Sequence, residues 1–564
     1  MKRKKITERI LLNLEIMYGK KRASAVMDRL EKLLQSYESK IPRENFSFTE
    51  SDAVLITYGD SFQESGGSPL QTLSLFLEEY LTEVITIVHV LPFFPYSSDD
   101  GFSVIDYRMV NPELGSWEDI RRLSRSFKVM FDAVINHISA GSGEFHGFLQ
   151  GDSRFDNFFI AVHKDFDISR VFRPRALPLL TTFDTERGSL DLWTTFSTDQ
   201  IDLNYENPEV LLYIIDVLLF YVTKGASMIR LDAIAFLWKE SGTECLHLPQ
   251  THAAIKLMRA VFDLIAPHVK IITETNVPHS DNISYFGSGD DEAHMVYNFA
   301  LPPLTAHALL TGDASYLTRW ASGLQLENRR NYFYNFTASH DGIGLMPVRD
   351  ILPAREIEGL ADSAKRHGGE LGLKDNPDGS QSVYELNISL FDLVSDPEAD
   401  EPLVLQVARF VASQAIAMSL AGVPAFYYHS LVGSRNYYEG VKRTGVRRAI
   451  NREKLQVRNI REELNRTDSL RSLVFESLVS LLKVRKHHRA FHPEGRQVVH
   501  DLHPKVFAVE RIAPDEEEKL LALINVAGAL VAVTPEFSGR RDVITGERFG
   551  QELTLDPYGV LWLV

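Results

Sequence analysis

A single cysteine, Cys245, stands in a chain of 564 residues. No disulfide can form within the chain and no cysteine-based metal cluster can assemble. The count suits a reducing compartment, and a cytoplasmic location is expected. Cys245 itself reads as a small buried apolar side chain rather than a nucleophile. Apolar runs of the ~20 residues that cross a bilayer are also missing. So is any basic excess: 60 Lys and Arg stand against 76 Asp and Glu, a net charge of −16. Such a chain repels phosphate backbones and anionic lipid, so neither nucleic acid nor membrane is an expected partner. Internal repeats and low-complexity tracts are lacking. The opening stretch MKRKKITERILLNLEIMYGK is basic and then apolar, but Asn13 and Glu15 interrupt it and no small-residue cleavage site follows. It predicts an amphipathic helix packed on the domain, not a signal peptide.

What remains is an ordinary globular composition, 44% hydrophobic and 24% charged, in a chain long enough for several domains. Short apolar, β-branched runs recur at 54–58, 84–91, 129–136, 228–231, 270–274, 295–299, 332–336 and 423–427. Buried parallel strands read this way, because both faces are covered. Helical patterns separate them. Leu70, Leu73, Phe76, Leu77 and Tyr80 repeat at helical spacing. Asn207-Pro208-Glu209 supplies a cap, a first-turn proline and an acidic first turn, and Gly225 ends the apolar run that follows.

Eight strands alternating with helices predict an α/β fold, a (β/α)₈ TIM barrel, with an open doubly wound sheet as the alternative. Two gaps exceed ordinary βα loops and predict two inserted loop domains. The expected units are an N-terminal helical segment (1–50), barrel (51–136), an insertion (137–205) and barrel (206–341). An inserted domain or mobile loop (342–400), barrel (401–490) and a C-terminal antiparallel β domain (491–564) complete the chain. The glycines Gly368, Gly369, Gly372 and Gly379, with Pro377, suggest the loop in the second insertion. Runs at 506–509, 520–524 and 560–564 suggest the β domain.

Chemistry in such a barrel sits where strands end and loops begin. The second strand is followed by Ser98-Asp99-Asp100-Gly101-Phe102, and the third ends Asn136-His137. The fourth ends Arg230-Leu231-Asp232 and the fifth Glu274-Thr275-Asn276. Ser339-His340-Asp341-Gly342 follows the seventh. One carboxylate at a strand end is readily explained as a cap or a salt bridge. Carboxylates at three strand ends, with histidine and arginine companions, point to catalysis, and no Ser-His-Asp or P-loop pattern competes. No metal or other cofactor is expected: the one His-x-x-x-His spacing, His488 to His492, lies far from these carboxylates and reads as a basic helix end.

The ordered stretches Asp132-Ala-Val-Ile-Asn-His137, Ile229-Arg-Leu-Asp-Ala233, Ile272-Thr-Glu274 and Ala338-Ser-His-Asp341 resemble the four signature regions of the α-amylase clan of glycoside hydrolases. Leu91-Pro-Phe-Phe-Pro95, Asp99-Asp-Gly-Phe102, Arg173-Pro-Arg175, His340-Asp-Gly-Ile-Gly344 and Ala449-Ile-Asn-Arg452 resemble its sucrose-phosphorylase subgroup. Within that subgroup, Trp193-Thr-Thr-Phe196, Gln200-Ile-Asp-Leu-Asn204, Gly289-Asp-Asp-Glu-Ala-His294 and Gly433-Ser-Arg-Asn436 are most similar to bacterial glucosylglycerate phosphorylases.

Residue reading and resemblance agree on roles. Retaining glycosidases pair a carboxylate nucleophile with a second carboxyl, about 5–5.5 Å away, that acts first as acid and then as base. Asp232 is the expected nucleophile and Glu274 the acid/base, with Asp341 stabilising the cationic transition state. Arg230, on the same side of its strand as Asp232, is expected to keep that carboxylate ionised. His137 and His340 are expected to hold sugar hydroxyls, and Phe102 and Phe236 to pack on the ring. The resemblance implies that Asp99 and Arg448 close the inner end of a one-glucose pocket, and that Arg175 and Tyr384 meet phosphate. Glu385, on the acceptor side, departs from the glutamine of sucrose phosphorylases and matches the glycerate-using branch. A carboxylate beside an anionic acceptor calls for basic partners. Lys374 and Arg435 are candidates for that pairing, and Arg175, Lys374, Arg435 and Lys442 for donors to the acceptor itself.

The activity so implied is reversible phosphorolysis of 2-O-α-D-glucosylglycerate to α-D-glucose 1-phosphate and D-glycerate. Alternatives are a sucrose, sucrose 6′-phosphate or glucosylglycerol phosphorylase, a related α-glucoside hydrolase, or a non-enzymatic binding subunit, which would usually lack one of the three carboxylates. Expected partners are an α-glucoside and inorganic phosphate, with the chain a monomer or homodimer.

Overall fold

The structure, a computed structural model, describes residues 2–42, 44–175, 177–324, 330–376 and 380–564. Eight parallel strands close into a barrel. They are β1 (Val54–Thr57), β2 (Ile87–Val90), β3 (Lys128–Val134), β4 (Ala226–Asp232), β5 (Lys270–Thr273), β6 (Met295–Tyr297), β7 (Tyr332–Phe336) and β8 (Val423–Tyr427). Each pairs with its sequence neighbours, and β8 returns to β1 with Ala425 opposite Val54. Every residue of β1, β2, β6, β7 and β8 is buried, which is why these strands read as unbroken apolar runs.

Parallel neighbours cannot be joined by a tight turn, so crossovers cover the barrel. The N-terminal helix α1 (Lys2–Tyr37) bends at Gly19 (φ 72°) and packs on the crossover helix Pro249–Ile265. The main crossovers are α2 (Pro69–Tyr80), α3 (Trp117–Ser126), α4 (Pro208–Thr223), α5 (Pro249–Ile265), α6 (Leu301–Thr311) and α7 (Leu403–Ser419), and α8 (Leu470–Arg485) follows β8. In α4 the Asn207 side chain accepts the Glu209 N–H (3.1 Å), Pro208 opens the helix, and Gly225 (φ 102°) follows its end. Its buried face carries Leu211, Ile214, Leu218 and Val222, each contributing roughly 1.5–3 kcal/mol relative to exposure. Among the described residues no helix is long and apolar enough to cross a membrane.

The stretch 137–205 folds over the carboxyl ends of the strands. His137–Ser139 pairs with Gln200–Asp202, and Leu180–Thr185 forms a hairpin with Gly188–Trp193. The stretch 342–400 contains a helix (Ala354–Arg366) and an antiparallel hairpin (Glu370–Asp375 with Gln381–Asn387). Its glycines serve close packing rather than an unstructured loop. Gly368, just past that helix, has φ 81°, and a Cβ there would collide with the Tyr438 hydroxyl. Pro377 and Gly379 lie outside the described residues. After α8 comes an antiparallel sheet of β9 (Arg496–His503), β10 (Val506–Ile512), β11 (Lys519–Asn525) and β12 (Val560–Leu563), in that spatial order.

Candidate active site

Strand register sets two carboxylates side by side. Leu231 of β4 pairs with Thr273 of β5, so Asp232 and Glu274 emerge level at neighbouring strand ends. The Glu274 N–H donates to the Leu231 carbonyl (3.1 Å), and Glu274 Oε2 accepts from the Ala233 N–H (3.1 Å). Ala233 is left-handed (φ 50°, ψ 34°), a conformation costing an L-residue about 1 kcal/mol. It turns the chain sharply after Asp232.

Beneath them lies one buried guanidinium. Arg230 is 1% exposed and stands opposite Asp132 of β3 in register. It forms ion pairs with Asp132 and with Asp232 (2.8 Å), and reaches Glu274 at 3.8 Å. Asp132 in turn accepts from His89 Nε2 (2.6 Å). Burial pushes Glu274 up to about 7, against the pull of Arg230 and with help from Asp232 and Asp341. Burial also raises Asp232, again against Arg230. The Arg230 ion pair favours the charged form of Asp232, although lost hydration outweighs it and leaves this carboxyl above its ordinary range. The nearer contact still favours charge on Asp232 and the proton on Glu274. Burial acts to raise Asp341 too, but Arg448, His340 and Arg452 outweigh it and hold that carboxyl well below the usual range.

Asp99 and Arg448 both line the cavity, but their direct ion pairs are made with other groups. Asp99 meets Arg452 (3.8 Å), which also binds Asp100 (2.7 Å), approaches Asp341 (3.7 Å) and donates to the His340 carbonyl (2.9 Å). Arg448 pairs instead with Asp341 and, through two nitrogens at 2.9 and 2.7 Å, with Glu385. Arg448 lies in a 3₁₀ turn (Arg447–Asn451) and Arg452 just past its end, and both come within ion-pair distance of Asp341, so spacing alone cannot rank them.

These groups surround a cavity of about 80 Å³. At ~10–15 Å³ for each water position, that is room for roughly six waters, the order of one sugar ring. Its wall brings together Asp99, Phe102, His137, Arg175, Asp232, Glu274, His340, Asp341, Tyr384 and Arg448, all singled out from the sequence. Phe102 stacks flat on His340 (4.9 Å, 3°). Burial drives His340 down to about 3, leaving it neutral at ordinary pH. His137 donates from Nε2 to the Phe102 carbonyl (2.9 Å). Phe236 does not reach the wall. It meets the edge of Phe196 (5.4 Å, 80°), and Phe196 faces the cavity in its place. Besides Pro174 and Ala233, the wall holds Phe196, Gln200 and Asn276. The sequence reading missed all three as site residues, although each lies in or beside a stretch the resemblance rests on. Asp132 and Arg452 were passed over in the same way.

Toward the opening, the hairpin of 370–387 contributes Tyr384 and Glu385. Its register shifts between Gly372 and Leu373, leaving Tyr384 as an extra residue opposite them. Such a bulge lets consecutive side chains turn the same way. Tyr384 thus faces the cavity while Glu385, 5% exposed, grips Arg448 and accepts the Gly342 N–H (2.9 Å). A Cβ on Gly342 would collide with Glu385, so only glycine admits this approach. The carboxylate therefore organises Arg448, not Lys374 or Arg435. Arg435 binds Asp392 (2.8 Å) and Gln406 (2.7 Å), and Lys442 is exposed on the helix Tyr438–Thr444, so neither faces the cavity.

A closed barrel with carboxyl groups at the ends of β4 and β5 and after β7 defines a class. The alpha amylase catalytic domain matches residues 57–341, and the chain belongs to that family. Within it, the chain is 50% identical to a glucosylglycerate phosphorylase of Spirochaeta thermophila, over 91% of this chain and 88% of that protein. It is 45% identical to a protein of the same name from Escherichia coli K12, over 98% of both. In fold it is similar to the crystal structure of a sucrose 6F-phosphate phosphorylase from Thermoanaerobacter thermosaccharolyticum, with TM-score 0.73 and 24% identity over 90% of this chain and 97% of that one.

Proposed function

We propose that this protein catalyses reversible phosphorolysis of 2-O-α-D-glucosylglycerate by double displacement. The observation that carries the reading is the 45–50% identity, over nearly the whole chain, to relatives of that name. The Asp232 carboxylate attacks the anomeric carbon while Glu274 gives its proton to the departing glycerate oxygen. A phosphate oxygen then attacks the glucosyl-Asp232 bond from the face that glycerate left, and Glu274 takes the phosphate proton. Two inversions retain the α configuration. Asp341, fixed as an anion, balances the oxocarbenium-like charge. Asp99 and Arg448 hold the far end of the glucose, and Arg175 with Tyr384 receives phosphate. A carboxyl poised near 7 beside one paired to arginine supports this division of labour.

The test is synthesis from glucose 1-phosphate with D-glycerate, fructose or glycerol at equal sub-saturating concentration. D-glycerate should be glucosylated fastest, and faster glucosylation of fructose would return the protein to the sucrose-using branch.

A further inference from the structure

Cations around the cavity fall into two kinds, neutralised and free. Arg230, Arg448 and Arg452 each face at least two carboxylates. Two others have no carboxylate within ion-pair distance among the described residues, Arg175 in the cavity wall and Lys374 beyond it. Lys374 sits on an outer hairpin, yet it is only 8% exposed. Its ammonium lies over the Phe172 ring, 5.1 Å from the centroid. Phe172 precedes Arg175 by three residues, and its ring approaches Phe236 (6.3 Å), which backs the wall residue Phe196. Across the hairpin Lys374 pairs with Ser382, two residues before the wall residue Tyr384. Lys374 is thus tied to the cavity wall on two sides, through Phe172, Phe236 and Phe196 and through the hairpin that carries Tyr384.

A covered ammonium with no anion beside it among the described residues is costly. Burial already pulls Lys374 down from its usual range, with Arg349 adding to the pull. Phe172 supplies a cation–π contact, which returns less than a charge-assisted pair would. An anion arriving with the substrate completes the set. Glucose and its reacting carbons occupy the inner end, so this anion belongs to the acceptor half. We infer that Lys374 is the specificity-determining residue that receives the carboxylate of a 2-hydroxy-acid acceptor. The assignment rests on the proposed function, and it explains why Glu385 does not oppose an anionic acceptor: its charge is spent on Arg448.

The experiment compares wild type with Lys374→Met, which keeps the stem on Phe172, and Lys374→Arg, which keeps the charge. Synthesis from glucose 1-phosphate is run with D-glycerate and with glycerol, its neutral counterpart. Losing one charge-assisted contact should raise the KM for D-glycerate roughly 10- to 100-fold in Lys374→Met. Glycerol kinetics and the KM for glucose 1-phosphate should stay within about twofold, and Lys374→Arg should recover much of the loss. An unchanged glycerate KM overturns the assignment. So does an equal loss on glycerol, which marks general loop damage, or a loss confined to phosphate. Wild type that prefers fructose to glycerate sinks the proposed function as well. Wild type that prefers glycerate, with an indifferent Lys374→Met, sinks this assignment alone.

Discussion

The two ends of the barrel bury arginines in opposite ways. At the carboxyl end, Arg230, Arg448 and Arg452 face side-chain carboxylates; these raise the first two against the opposing effect of burial, and Tyr58 with Asp100 and Asp99 raises Arg452. At the amino end, Arg485 of α8 and Arg511 of β10 are as deeply buried, at 1% and 0% exposure, and form no ion pair among the described residues. They donate to main chain instead. Arg485 reaches the carbonyls of Met418 (3.2 Å), Glu50 (2.5 Å), Asp52 (3.4 Å) and Phe491 (3.1 Å). Arg511 reaches those of Ser419 (3.3 Å), His492 (2.9 Å) and Gly495 (3.3 Å). Met418 and Ser419 end α7, where carbonyls lack helical partners and the helix dipole is negative. Burial lowers Arg485 to about 10 and Arg511 to about 9, so both stay charged at neutral pH. The same side chain joins the last sheet to the barrel at one end and shapes a reactive field at the other. What separates the roles is the partner: fixed carbonyls give cohesion, whereas carboxylates share charge with whatever enters.

The comparison breaks first at Asp232. Asp232→Asn leaves the protein folded and lowers phosphate-dependent glucose 1-phosphate release on the order of 10⁴-fold, because the covalent step loses its nucleophile. A folded variant that keeps a tenth of wild-type turnover, a loss of only ~1.4 kcal/mol, contradicts the role. Glu274→Gln comes next, with a loss of roughly 10²- to 10⁴-fold on natural glucosides and much less on donors with good leaving groups, which need no protonation. The pH profile carries the sign. Glu274 acts as an acid only while protonated and is pushed up to about 7, so wild-type kcat/KM falls as pH rises through that value. Asp232 must be ionised and burial has raised it, so activity also falls as pH drops, from a point above the ordinary aspartate value. Glu274→Gln should lose the alkaline limb with activated donors and keep the acidic one. An alkaline limb that survives assigns it to another group.

At the amino end the readout is stability. Arg485→Met removes the donor to four carbonyls in a site closed to water, and one unmet buried partner costs about 1–3 kcal/mol. Relief of the buried charge offsets part of this. Denaturant unfolding should show a loss of about 3 kcal/mol, with KM for both substrates unchanged below the transition. Wild-type stability would mean that burying the cation costs as much as its bonds return.

Much of this was legible beforehand, for physical reasons. The barrel strands are buried on both faces, so their apolar runs stand out, and Asp232, Glu274 and Asp341 interrupt or follow those runs where loops begin. Less visible was which arginine meets Asp99, because Arg448 and Arg452 both converge on Asp341 and depth is not written in spacing. Phe196 was hidden for another reason. It lies in the irregular stretch 137–205, where no period fixes which side a residue faces, so Phe236, beside Asp232 in sequence, drew the attention. Glu385 was placed on the acceptor side, but its partner depends on a one-residue bulge that composition does not announce. The glycines of 342–400 suggested a loop because glycine marks both flexible chain and close contact, and only the fold tells the two apart.

Glu385 also gives the smallest effect and the finest test of the comparison. If the carboxyl-end arginines are shaped by their carboxylates, reducing one of those carboxylates to an amide should be felt through Arg448. Glu385→Gln keeps the side chain's size and one acceptor oxygen. That oxygen can serve the Gly342 N–H or an Arg448 nitrogen, while the second arm of the bidentate grip and its charge are lost. Arg448 retains Asp341, so the guanidinium stays in place but is less firmly oriented. Because Glu385 lies behind the wall and meets no reacting atom, it is a positioning residue, and the loss in kcat/KM should be about tenfold, ~1.4 kcal/mol. The loss should appear with every acceptor alike, since Arg448 and Asp341 serve the glucose side, and Glu385→Asp, which keeps the charge on a shorter arm, should lose less. Thermal unfolding of the variant should stay close to wild type. A loss seen only with D-glycerate would place Glu385 against the acceptor after all, and kinetics equal to wild type would show that Asp341 alone holds Arg448.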